Sequence, residues 1–294
     1  VTGVQTCALP ISVGMELAER HGGAVQTMVA FAHNGFVRHW GAPLEHTVEP
    51  LLREYRDGLL VGRGGYAHSA GTFAVLHAFL ANRPLDEVRR LAVRMRTELD
   101  QLGERAFVQR LDIVLQAVAD LADGLADGAP LDGEHFSTSK WLAAKARKGE
   151  LALIVHTLRA HVALAYGRWG DAAAAVNDAA PMARMAPGEA IVGIHQFQLA
   201  MLDALGEMKG GRRARRAQRL LRRAAEANPH DMAHRQLLAD GRAGAEAASE
   251  LAQRHHQLAD LAVARRLIGD TEGARSALRA WGALGAARTV SNGT

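Results

Sequence analysis

The stretch Leu158–Pro181, LRAHVALAYGRWGDAAAAVNDAAP, decides the fold. Leu158, Val162, Ala165 and Tyr166 recur at the spacing of one helix face, which predicts a helix up to the turn. Gly170-Asp171 supplies a chain reversal and a helix N-cap, and the small residues Ala172–Ala175 let a second helix lie close against the first. A helix hairpin of this kind buries only one face by itself, so it needs similar neighbours on either side.

The rest of the chain offers them. Apolar residues Val25, Met28, Val29, Phe31, Ala32 and Phe36, with Met15 and Leu17 ahead of them, predict a first helical element broken near Gly22-Gly23. Helices follow at Leu44–Leu60, Tyr66–Leu80, Leu85–Leu102 and Phe107–Leu125. Their faces are marked by Leu51, Leu52, Tyr55 and Leu59, and by Leu111, Val114, Leu115, Val118 and Leu121. The Gly-, Pro- and Asp-rich span Ala126–Ser139 reads as the joint between two halves, 13–136 and 137–290. Beyond it the periodicity predicts helices at Trp141–Lys148, Glu150–Arg168, Asp171–Met182, Pro187–Leu205, Arg212–Ala227, His230–Ala239, Ala245–Ile268 and Asp270–Ala283, with a frayed tail at 291–294. Trp169-Gly170-Asp171 is echoed by Ile268-Gly269-Asp270. With hairpins of roughly 34 residues, the expected class is all-α, a tetratricopeptide-like antiparallel helix-hairpin solenoid, or α-α superhelix. Trp40, Trp141, Trp169 and Trp281, together with Tyr66, Tyr166, Gly170 and Gly269, read as the packing residues of such repeats, the large rings filling wedges between hairpins.

Composition agrees with helix: aromatic residues are 5% of the 294, and Ala, Leu and Arg dominate. The 35 basic residues only slightly exceed the 31 acidic ones. No apolar run is long enough to span a bilayer and no signal-peptide pattern is present, which makes the cytoplasm the expected compartment. The single cysteine, Cys7, lies in VTGVQTCALPIS, which resembles the conceptual translation of a sequencing adapter. Residues 1–12 are therefore expected to carry neither fold nor function, and disulfide and cysteine chemistry drop out.

Several motifs invite chemistry and fall short of it. Gly62-Arg63-Gly64-Gly65-Tyr66-Ala67 matches a loose dinucleotide fingerprint, but the fingerprint follows a strand, and Leu51–Leu60 has helical periodicity. No Walker A sequence is present. His230-Asp231-Met232-Ala233-His234 puts two histidines on one helix face with a carboxylate between them, and His255-His256 could add a ligand. Asp231 is a methylene too short for the zincin role, however, so the pair reads as surface histidines at a helix start, with no metal or cofactor expected. Arg212, Arg213, Arg215, Arg216, Arg219, Arg222 and Arg223 surround an apolar stripe of Ala214, Ala217, Leu220, Leu221, Ala224 and Ala225. They read as the solvated, partner-facing side of an amphipathic helix, and with no aromatic residues interleaved nucleic acid is disfavoured. No interpretable nucleophile, base or paired-carboxylate spacing occurs, so no enzyme activity is expected of this stretch of chain.

Six passages in order carry a family resemblance. Phe36–Ala70, FVRHWGAPLEHTVEPLLREYRDGLLVGRGGYAHSA, resembles the "HW-x-x-PL … GL-x-x-GD-x-x-YA" passage in the helical region of large bacterial signalling proteins. Those proteins join a serine/threonine kinase-like domain, a STAND-type AAA ATPase, a tetratricopeptide-like region, a GAF domain and often a sensor histidine kinase. FLANRPLDEV (79–88), with Asn82 where glycine is usual, PLDGEHF (130–136), HQFQLAMLDAL (195–205), NPHDMAHRQLLADGRA (228–243) and GDTEGARSALRAWGALGA (269–286) continue the likeness. Arg63 stands where an acidic residue is usual, and the segment between His234 and Leu261 is shorter than in the family. The resemblance implies a non-catalytic scaffold or regulatory region, a fragment of a multidomain kinase/ATPase that contacts protein partners or its own ATPase, GAF and kinase modules. The alternative it implies is the effector-sensing region of a STAND-type transcription regulator. The family's catalytic residues lie outside the matched passages, so none of its catalytic roles falls on a residue here.

Overall fold

The computed structural model describes residues 13–14, 20, 24–62, 64–126, 128–144, 149–183, 186 and 188–290. Expectations for residues 1–12, Met15, Leu17, the break at Gly22-Gly23, Arg63, the end of the predicted Trp141–Lys148 helix and the tail at 291–294 lie outside the described residues.

Among the described residues the fold is all-helical, with no strand and a single isolated antiparallel bridge between Asp132 and Ser137. Fifteen α-helices occur: α1 (Ala24–Phe36), α2 (Val48–Leu60), α3 (Gly64–Leu80), α4 (Leu85–Gln101), α5 (Arg105–Ala122), α6 (Thr138–Ala143), α7 (Glu150–Ala165), α8 (Trp169–Ala179), α9 (Ala190–Ala204), α10 (Arg212–Ala227), α11 (Pro229–Leu238), α12 (Ala245–Arg254), α13 (Leu258–Leu267), α14 (Thr271–Trp281) and α15 (Leu284–Arg288). Three short 3₁₀ turns, Arg38–Trp40, Leu44–Thr47 and Gly241–Gly244, complete them.

Sequential helices pack in neighbouring pairs, α2 on α3, α4 on α5, α7 on α8, α9 on α10 and α13 on α14. The pairs then sort into two layers. Helices α3, α5, α7, α9, α11 and α13 form a chain of contacts with one another, while α2, α4, α8, α10, α12 and α14 lie outside them. Sequence dictates the sorting. α3 (GGYAHSAGTFAVLHAFL) and α7 (ELALIVHTLRAHVALA) are apolar all round and bury 13 residues each, so neither has a side suited to water. α4 and α10 are rich in arginine and bury only the narrow stripes Leu85, Val88, Ala92, Met95, Leu99 and Ala214, Ala217, Leu221, Ala224. α7 is central, touching α5, α9 and α13 as well as its own partner α8.

The ends of the succession meet. Trp281 Nε1 at the end of α14 donates to Arg83 O after α3 at 3.1 Å, and the indole packs against the contacting rings of Phe79 and His161. Trp40 Nε1 donates to Gly188 O at 3.1 Å, and α15 rests on α5. One apolar cluster therefore runs from Phe31 to Val290 across the 123–137 loop. That loop is pinned from below by α5. Asp120 Oδ2 accepts from Leu131 N and Gln116 Oε1 accepts from His135 N, and burial pushes Asp120 up to about 6.

Two local expectations are corrected. The reversal before α8 is at Gly167, whose φ of 71° is left-handed, and Gly170 lies inside α8 facing open space. Asp171 accordingly sits in the first turn of α8 and makes no cap. The equivalent of Gly269 (φ 82°) is thus Gly167, three residues before the Gly170 read from sequence. Ala245–Ile268 is two helices, because His256 adopts a φ of 56° and turns the chain before α13.

Candidate functional site

The arginine run forms α10 with the bounds its periodicity predicts, Arg212–Ala227. Arg212, Arg213, Arg215, Arg216, Arg219, Arg222 and Arg223 are all exposed. Arg213 reaches Asn177 Oδ1 at 3.5 Å, and among the described residues none of the seven forms an ion pair. Several arginines elsewhere on the surface are matched: Arg83 with Glu45, Arg89 with Asp123, Arg90 with Asp86, Arg96 with Asp112 and Arg275 with Glu272.

The His230–His234 segment has a different environment from the one expected. His230 is half-buried and stacks on His255, ring centroids 4.6 Å apart, but His234 is fully buried rather than on the surface. The reason is a partner 26 residues on: His234 Nε2 donates to Asp260 Oδ2 at 2.9 Å, and Arg235 Nε donates to the same oxygen at 2.8 Å. Burial alone would raise the Asp260 carboxyl, yet the adjoining Arg235 guanidinium and the His234 hydrogen bond hold it well below the usual carboxylate range. Burial lowers His234, so the triad is a neutral imidazole beside a buried ion pair.

Asp231 joins this triad to the N-terminal part of the chain. Its Oδ2 accepts from Leu44 N at 2.5 Å, and its Oδ1 accepts from His230 Nδ1 and from Gln257 Nε2. Gln257 Oε1 accepts from Asn82 Nδ2 at 2.9 Å, while Asn82 Oδ1 accepts from Ala259 N at 2.7 Å. Asn228 Nδ2 donates to His39 O and Ala42 O. Apart from half-buried His230 these side chains are buried, and their hydrogen bonds engage one another in a structural clasp. No group of three or more His, Cys, Asp or Glu suited to a metal ion occurs among the described residues.

Sequence reading missed one unusual acid. Glu189, just before α9, is 6% exposed, and its Oε2 has no hydrogen-bond partner. Burial, reinforced by the charge of Glu150 and opposed by Arg110, pushes it up to about 8. Arg110 Nη2 donates to Glu150 Oε2 at 2.8 Å. Arg110 also lines a small apolar cavity with Thr72, Phe73, Leu76, Val114 and Ile154. A glutamate at a helix entry is ordinary in sequence; only the residues folded over it set it apart.

The remaining singled-out residues are scattered. Trp281 and Trp141 are buried, the latter against Phe136 and His156. Trp40 and Trp169 are half-buried. Tyr166 Oη donates to Asp120 O, and Tyr66 is 41% exposed beside Phe31. The Gly64–Ala67 part of the fingerprint lies within the first turn of α3 and follows a helix, not a strand. No helix of the described residues is long and apolar enough to cross a membrane. The chain matches no family model, no curated protein and no solved structure.

Proposed function

We propose that this chain is a tetratricopeptide-like scaffold that acts by contact: a non-catalytic, cytoplasmic regulatory region of a bacterial STAND-type kinase/ATPase, binding protein partners or its own ATPase, GAF and kinase modules. Pairwise helix packing in two layers supports the repeat reading, as a superhelix wound tightly enough for its first and last pairs to touch. The observation that carries the functional reading is the division of polar chemistry. Inside, many carboxylates, amides and imidazoles are occupied with one another; outside, among the described residues, unmatched charge is concentrated on the arginine face of α10. Charge left unpaired on a solvent-facing helix costs little and favours association with a surface of opposite sign.

The test is calorimetric titration of the folded chain with the ATPase or GAF module encoded in the same reading frame. Binding in the micromolar range, weakened by exchanging Arg216 and Arg219 for Glu, is expected. Failure of every such module to bind would refute the reading.

A further inference from the structure

The seven arginines are not spread evenly over the exposed side of α10. At 3.6 residues per turn, Arg212, Arg216, Arg219 and Arg223 fall within about 60° of one another and span about 16 Å along the axis. They lie opposite the buried Ala217 and Leu221. Arg215 and Arg222 flank this row on one side, and Arg213 leans the other way toward Asn177. The row is also where the molecule keeps its excess charge: residues 207–226 hold eight of the 35 basic residues and two of the 31 acidic ones, leaving 27 against 29 in the rest.

Resting on the contact-scaffold reading above, we infer that this row clamps an acidic α-helix of a partner polypeptide, one presenting carboxylates at i, i+4, i+7 and i+11. A helix laid alongside α10 repeats the same rise, so its carboxylates meet four guanidinium forks in register, each able to take two oxygens. Arg83 already holds a carboxylate in that way, its Nε reaching both oxygens of Glu45 at 2.9 and 3.0 Å and its Nη2 reaching Oε1 at 2.5 Å. Duplex nucleic acid fits less well. The positive charge stops at the ends of one helix, the remaining chain is slightly acidic, and no aromatic side chain stands within α10 to stack a base. A lipid surface fits poorly too, because the apolar stripe of α10 is packed within the fold and has nothing to insert.

The experiment is fluorescence anisotropy of the full chain at about 0.15 M salt, where long-range attraction is screened. The probes are a helix-stapled 16-residue peptide with Glu at positions 2, 6, 9 and 13, a permuted peptide of the same composition with its glutamates dispersed around the helix, and a random 16-base-pair duplex. The in-register peptide is expected to bind about tenfold more tightly than the permuted one, a difference of about 1.4 kcal/mol. Changing Arg212, Arg216, Arg219 and Arg223 together to Gln removes that preference, whereas changing Arg213, Arg215 and Arg222 to Gln alters it less than about threefold. Circular dichroism confirms that both variants remain folded. Equal binding of the two peptides, no binding of either, or tighter binding of the duplex overturns the inference. Overturning it while the ATPase or GAF module still binds leaves the scaffold reading standing; register-specific peptide binding without module binding supports the clamp and refutes that reading.

Discussion

Replacing Glu189 by Gln should make the protein more stable, and the gain should grow with pH. The carboxyl ordinarily titrates near 4.5, but burial, with Glu150 nearby, raises it to about 8 in the folded chain. Between those two values the folded protein holds a proton that the unfolded chain has released. Stability therefore falls as pH rises from 4.5 and levels off above 8. At about 1.4 kcal/mol per pH unit, the accumulated loss reaches about 5 kcal/mol. Gln is nearly isosteric with the protonated acid and cannot ionise, so Glu189→Gln is close to neutral at pH 5 and gains about 4 kcal/mol more by pH 9.

The assay is urea unfolding followed by helical circular dichroism at pH 5, 6, 7, 8 and 9, for both proteins at constant ionic strength. Titration of every other group is common to both and cancels in the difference. A difference between variant and parent that stays flat from pH 5 to 9 would mean that water or Arg110 satisfies the carboxylate. The account of the Glu189, Glu150 and Arg110 cluster would then be wrong.

Four more expectations test the interior. Asp260→Asn strips the counter-charge from buried Arg235 and should cost about 3–5 kcal/mol in denaturant unfolding, with Arg235→Met added to it recovering much of the loss; an Asp260→Asn protein as stable as the parent would refute the ion pair. His39 is buried with both ring nitrogens unpartnered, and burial lowers it to about 4 with Asp231 opposing. The folded imidazole resists a proton that the unfolded chain accepts below 6.5, so the parent loses stability as pH falls from 6.5 to 4. His39→Leu should remove about 3 kcal/mol of that fall, read from unfolding at pH 7.5 and 4.5, and an unchanged acid dependence would sink it. Asn82→Gly keeps the left-handed turn at φ 63° but deletes the amide that bridges Gln257 and Ala259; a loss of about 1–3 kcal/mol with unchanged helix content is expected, against no loss if the turn alone matters. In Gly285→Ala the added methyl would meet Gly124 N at 2.5 Å, so amide exchange should speed up across α15 despite the better helix former, and slower exchange there would contradict the packing.

What was legible in the sequence follows from the range of each interaction. The bounds of α10 could be read because its arginine and alanine pattern persists for four turns between Gly210-Gly211 and Asn228-Pro229, all within reach of local physics. The division of Ala245–Ile268 could not. Apolar periodicity continues through it, and Gln257, just past the turn at His256, is buried by partners 26 and 175 residues away. The misplaced turn before α8 is an intermediate case. Two glycines three positions apart were both eligible, and Gly167 takes the left-handed conformation where Gly167 N and Arg168 N bond back to Leu164 O and Ala163 O of α7.

The same reasoning explains why the interior histidines resisted sequence reading. His39, His68, His77, His156, His161, His195 and His234 are all buried, where composition alone suggests half-exposed rings. Some of these imidazoles find a partner for one nitrogen, as His77 Nδ1 does at Thr47 Oγ1 and His234 Nε2 does at Asp260, while His39 finds none. Such partners come from other helix pairs, so a histidine on an otherwise apolar face marks where a second helix will lie without saying which one. Asn82 carries more information. Glycine would satisfy that turn, and a residue with a costlier left-handed conformation is stable there because its side chain bonds to the far end of the chain. A polar residue in a turn that asks only for glycine is thus the local trace of a long-range contact, and here it points to the closure of the helical succession on itself.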